Sequence, residues 1–192
     1  MKKLITFILI CFCISQSAYS QTYLQGEGVT PLSDAASCEV LAPAKRLSTE
    51  EAFTKLTQID PDPFEKSVKD MVGESWWIDG MLVNIVTRKI TTQIPKEDLK
   101  DTQKASAPEI RYIKGTTPDR SMADDYFSEI KSVNNFEVLV DYYKTRSHYK
   151  YFLIQDNNGK FKVMGTIYVD KSNAPKAHTL INTILNSLKF KE

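Results

Sequence analysis

The chain has 192 residues, with 25 basic and 24 acidic side chains for a net charge of +1, and only three cysteines. That balance excludes a general polyanion binder, because nucleic-acid binding needs a concentrated cationic field. Two of the cysteines, Cys11 and Cys13, lie near the start, so Cys38 alone remains in the body of the chain and a disulfide-held scaffold is excluded.

Residues 1 to 20 read as a secretory signal. Lys2 and Lys3 form a basic start, Leu4 to Ile14 an apolar run shorter than the ~20 residues of a membrane span, and Ala18-Tyr19-Ser20 a small-residue cleavage site. Ile10 precedes Cys11 and Phe12 precedes Cys13, which does not fit a lipid-anchor site with its small residue before the cysteine. Cleavage after Ser20 leaves 172 residues, removes two lysines and moves the net charge from +1 to −1. No later apolar run approaches a span. The expected location is periplasmic or secreted, with no stable membrane insertion after cleavage.

Residues 21–46 are rich in small residues, Gly and Pro, and predict an extended leader with one short strand near Cys38 to Leu41. A single domain is then expected over 47–192, long enough to bury a sizeable core. Ser48-Thr49-Glu50-Glu51 is a capping box, followed by the apolar stripe Ala52, Phe53, Leu56 and Ile59, and Asp60-Pro61 ends the helix. A second short helix is predicted from Pro63 to Met71. From Ser75 to Thr92 two β-rich arms flank Asp79-Gly80, a hairpin signal.

The charged stretch from Ile94 to Pro108 predicts a solvated loop or short helix, and Glu109 to Lys114 a strand. Thr117-Pro118-Asp119 opens a further helix with Met122, Tyr126, Phe127 and Ile130 on its apolar face, leaving at Asn134-Asn135. Between Phe136 and Asp170 three alternating runs predict an antiparallel meander, with a tight turn at Asp156 to Gly159. Finally Ala177, Leu180, Ile181, Ile184, Leu185 and Leu188 fall on one helical face behind Pro175. The fold class is α+β: a central antiparallel sheet with helices packed on its faces.

The stretch YYKTRSHYKYF, residues 142–152, interleaves aromatic and basic side chains. It reads first as two hairpin arms, since aromatic residues favour pleated surfaces and lysines guard strand edges. Its acidic neighbours Glu137 and Asp141 oppose a single-strand nucleic-acid platform. A protein- or glycan-contacting patch of Tyr142, Arg146, Tyr149 and Tyr151 is the functional candidate, because Tyr and Arg concentrate at hot spots. Trp76 and Trp77 must point to opposite sides of a strand, so one of them lies either under a helix on the other face or part-exposed at a rim as a second candidate site.

His148, His178 and Cys38 have no ligand spacing for a metal, and AASCEV around Cys38 does not resemble a nucleophile site. With no G-x-S-x-G, phosphate loop or H-E-x-x-H, no catalytic residue, metal or cofactor is expected.

The strands FEVLVDYYKT, YKYFLIQD and FKVMGTIYVD, the turn NNGK and the closing helix ending ILNSLKF resemble, over about residues 76–190, the PsbP/Mog1-like fold, which includes DcrB-type periplasmic proteins. The resemblance implies an α/β/α sandwich and a non-enzymatic adaptor, chaperone or binding protein, without a catalytic set to carry over. The leading expectation is an exported protein-binding domain, such as an immunity protein against an antibacterial toxin or an envelope accessory factor. A small-ligand or glycan binder is the alternative, and a hydrolase the third reading.

Overall fold

A computed structural model describes residues 28–59, 73–108, 121–144, 149–170 and 172–191. In chain order these form β1 (Val29–Thr30), α1 (Leu32–Ala35), β2 (Ala36–Cys38), β3 (Lys45–Leu47), α2 (Thr49–Ile59), β4 (Glu74–Ile78) and β5 (Met81–Lys89). They continue with α3 (Leu99–Ser106), α4 (Ser121–Asp125), β6 (Tyr126–Val133), β7 (Phe136–Tyr143), β8 (Tyr149–Gln155), β9 (Phe161–Tyr168), α5 (Ala174–Ser187) and β10 (Leu188–Phe190). The main sheet runs β3-β4-β5-β9-β8-β7-β6, every pair antiparallel, with β1 added alongside β5. A separate ribbon joins β2 to β10.

Alternation along each strand supplies two apolar faces. On one, Val83, Ile85, Val138, Val140, Phe152, Ile154, Val163 and Ile167 meet Ala177, Ile181, Ile184 and Leu185 of α5. On the other, α2 places Ala52, Leu56 and Ile59 over Leu82 and Tyr168, while α3 sets Leu99 against Leu139 and Leu153. The fold is thus α+β, a central antiparallel sheet with helices on both faces.

Local signals account for several boundaries. The capping box closes reciprocally: Ser48 N donates to Glu51 Oε2 at 2.8 Å, and Glu51 N donates to Ser48 Oγ at 3.1 Å. Asp79 and Gly80 have φ of +49° and +80°, the pair of left-handed residues that joins β4 to β5. Asp98 caps α3 by accepting from Lys100 N and Asp101 N, so the charged stretch contains a helix anchored by Leu99.

Three expectations change. The helix predicted through Ile130 ends at Asp125, and Tyr126 to Val133 instead pair residue for residue with β7. Asn134 and Asn135, at φ +50° and +67°, form a hairpin turn rather than a helix exit, so cross-strand pairing overrides the helical spacing. Phe53 is 40% exposed, outside the stripe formed by Ala52, Leu56 and Ile59. Residues 28–46, read as an extended leader, contain α1 and three short strands and bury Leu32, Ala36, Cys38 and Leu41 in the main core. That segment is part of the packed unit because β10 and α5 supply its partners. The signal region, the helix from Pro63 to Met71 and the strand from Glu109 to Lys114 lie outside the described residues.

Candidate functional site

The antiparallel register brings aromatic rings together at one end of β6 and β7. Tyr126 pairs with Tyr143 and Phe127 with Tyr142 across the strands. Because successive residues face opposite sides, one pair projects from each face of the sheet. Phe127 and Tyr142 stack with centroids 4.9 Å apart, and Tyr126 and Tyr143 tilt together at 5.3 Å. All four rings are part-exposed.

Behind the Tyr142 ring the surroundings are cationic. Lys150 Nζ lies 3.5 Å from the ring centroid, and the Tyr142 hydroxyl is 3.4 Å from His178 Nδ1 on α5. Lys131 donates to Asn182 Oδ1 at 2.7 Å beside them. Burial lowers the His178 pKa, and the charges of Lys131 and Lys150 push it the same way, with Glu129 opposing. Burial also raises the Tyr142 phenol, with Glu129 adding to it. On the opposite face Tyr126 donates to Asp141 Oδ2 at 3.0 Å, and its pKa is pushed up to about 12 by burial and then by Asp141. Burial raises Asp141 too, against the lowering effect of hydrogen bonds from Tyr126 and Ser106.

Lys150 is only 5% exposed, and its ammonium faces a ring rather than a carboxylate among the described residues. Lys150→Met keeps the apolar stem and removes the charge, so it should stabilise the fold by about 1 kcal/mol at pH 7. Burial holds the folded pKa below the ordinary 10.5, so the unfolded chain binds this proton more tightly. The penalty therefore operates below the folded pKa, and the gain from methionine should vanish above pH 10.5. Urea titrations at the two pH values measure this; a loss of stability at pH 7 would mean the cation–π contact outweighs desolvation.

The second candidate is the tryptophan pair. Trp76 is 7% exposed in the main core, whereas Trp77 packs on the opposite face near α2, with Lys55 Nζ 4.6 Å from its ring centroid. Trp76 borders an open space. A cleft of about 540 Å³ lies between the 32–46 segment and β4, with Leu32, Leu41 and Trp76 on its walls. Glu74, 4% exposed, accepts from Leu32 N at 2.7 Å and pairs with Arg46 at 2.5 Å along the same wall. A smaller hollow of about 350 Å³ beside α3 is lined by Glu97, Lys100 and Gln155.

The candidate patch is divided by the sheet. Asp141 pairs with Tyr151, which places Tyr151 with Leu139 and Leu153 on the α3 face, opposite Tyr142. Burial, then the charges of Glu97 and Asp141, raise the Tyr151 pKa. Tyr149 opens β8 across from Tyr168, while Arg146 and His148 lie outside the described residues. Cys38 is buried, with its Sγ 3.1 Å from Ser187 Oγ and 3.8 Å from the Ile184 carbonyl, neither of them a base for a thiolate. Among the described residues no group of three His, Cys, Asp or Glu side chains gathers to hold a metal, and no helix is long and apolar enough to cross a membrane. Phe127, Glu74, Arg46 and Lys150 join these contacts without having been expected; of the four, only Glu74 carried a signal, the strand parity it shares with Trp76.

No family model and no curated protein sequence matches the chain. Among solved structures, cyanobacterial PsbP (CyanoP) from Synechocystis sp. PCC 6803, determined in solution, is similar over 62% of this chain and 74% of that one. The two share 8% identity with a TM-score of 0.40. The likeness is a weak, fold-level one over part of the chain, in line with the PsbP-like order of strands and closing helix.

Proposed function

We propose that this chain is an exported, non-enzymatic protein-binding domain that meets its partner with the aromatic end of β6 and β7. The observation that carries the reading is the grouping of Tyr126, Tyr143, Phe127 and Tyr142, part-exposed and stacked in pairs across two neighbouring strands. Aromatic rings of this kind give large contact area for few rotatable bonds and concentrate at interface hot spots. The basic start and small-residue cleavage site support delivery to the periplasm or beyond. His178 meets a phenol, and among the described residues no carboxylate is hydrogen-bonded to its ring, which favours binding over acid–base chemistry. An immunity protein against an antibacterial toxin and an envelope accessory factor are the two forms this function takes.

Affinity capture with residues 21–192 from the native cells and their neighbours tests the proposal. A stoichiometric protein partner is expected, with binding weakened at least about tenfold by Tyr142→Ser together with Tyr143→Ser. Thermal unfolding of the double variant separates lost contact from lost fold. Retention of the partner at full affinity by a folded double variant would remove the aromatic tip from the interface. If neutralisation of a toxic partner accompanies capture, the immunity form is selected.

A further inference from the structure

We propose that the cleft between the 32–46 segment and β4 is a binding site for a medium-chain carboxylate, its apolar chain against Trp76 and its head group at the rim by Lys191. This site is separate from the aromatic tip and does not depend on it. The space measures about 540 Å³, within the ~300–1,000 Å³ of small-molecule pockets. Its walls carry Leu32, Leu41 and Trp76, all under a tenth exposed, so a chain lying there exchanges water for apolar contact.

Charge at the mouth selects the head group. The two carboxylates bordering the cleft are each engaged: Glu74 accepts from Leu32 N and pairs with Arg46, and Glu39 pairs with Lys189 at 3.0 Å. Lys191 borders the same opening, is exposed, and has no acidic partner among the described residues. Its backbone N–H donates to the Ala35 carbonyl at 2.8 Å, which holds it over the cleft rather than on a free tail. Among the described residues the excess charge at the rim is therefore positive. A neutral or cationic amphiphile gains nothing there, whereas a carboxylate does.

Trp76 reports occupancy directly, because Trp77 is the other of only two tryptophans. The probe is decanoate, with decanol as its uncharged counterpart, titrated into residues 21–192 carrying Trp77→Phe. A saturable change in Trp76 emission is expected with decanoate, and decanol should bind at least about tenfold more weakly. Lys191→Glu should weaken decanoate about tenfold and leave decanol unchanged. Ser37→Phe, which adds bulk at an exposed lining position, should abolish the response while far-UV circular dichroism remains that of the parent. Equal affinities for decanoate and decanol, or an unchanged response in Lys191→Glu, would overturn the carboxylate assignment. No saturable change with either probe would overturn the site itself.

Discussion

Gly165→Ala is expected to destabilise the protein by about 3 kcal/mol, the upper end of the cost of overpacking a core. A Cβ at this position would sit 2.1 Å from Cε1 and Cζ of Phe152 and 2.9 Å from its Cδ1. Gly165 of β9 and Phe152 of β8 are directly paired, and the ring fills the place that a side chain on β9 would take. Phe152 is fully buried beneath α5, with no room to swing away. Intrinsic preference alone gives the opposite sign, because glycine in a strand interior is usually weaker than alanine by about 0.5–1 kcal/mol. Urea denaturation distinguishes the two views. Phe152→Leu, destabilising by itself, should cost less in the Gly165→Ala background, giving a coupling energy of about 1 kcal/mol or more in a double-mutant cycle. A neutral or stabilising Gly165→Ala, with additive effects in the cycle, would show that the ring is not held by the missing side chain.

Glu74→Ala is expected to cost about 2 kcal/mol and to act on one part of the molecule. The carboxylate reaches from β4 to the Leu32 amide, 42 positions earlier in the chain, and to Arg46 of β3. Alanine leaves that buried amide without its acceptor, the costly half of the change. Loss of the ion pair adds little, because the Arg46 side chain is 46% exposed and turns to solvent. Glu74→Gln retains an acceptor for the amide and should lose roughly half as much. Hydrogen exchange resolved by position provides the check: amides of residues 30–41 should exchange faster, while those of β7, β8 and β9 keep their protection. Uniform acceleration across the sheet would mean that Glu74 supports the whole fold instead of fastening one segment.

The features legible in the sequence are those whose cause lies within a few residues. The capping box at Ser48 and Glu51, the Asp79-Gly80 turn, the alternation of β7 to β9 and the apolar face of α5 each carry their own partner or period. Residues 28–46 do not, because their core positions become apolar surfaces only when β10 lies against β2. The spacing of Met122, Tyr126, Phe127 and Ile130 satisfies a helix, yet strand pairing sends Tyr126 and Ile130 to one face and Phe127 to the other. The same parity separates Tyr142 from Tyr151, since nearness in sequence does not determine the face when a turn of unknown register intervenes. Candidate residues were thus recognisable by type, but their grouping depended on register.

The ribbon of β2 and β10 carries a consequence for how the molecule is made. Glu39 and Lys189, which flank it in an ion pair, are 150 positions apart, so nearly the whole chain is looped between them. A contact this distant is expected to form after the meander, whose strands are neighbours in the chain. Until Leu188 to Phe190 are in place, Ala36 to Cys38 lack their strand partner. The strand Leu188–Phe190 therefore fastens the 36–38 stretch from far along the chain: without it, amides 36–38 are expected to exchange faster, while Glu74 still holds the Leu32 amide.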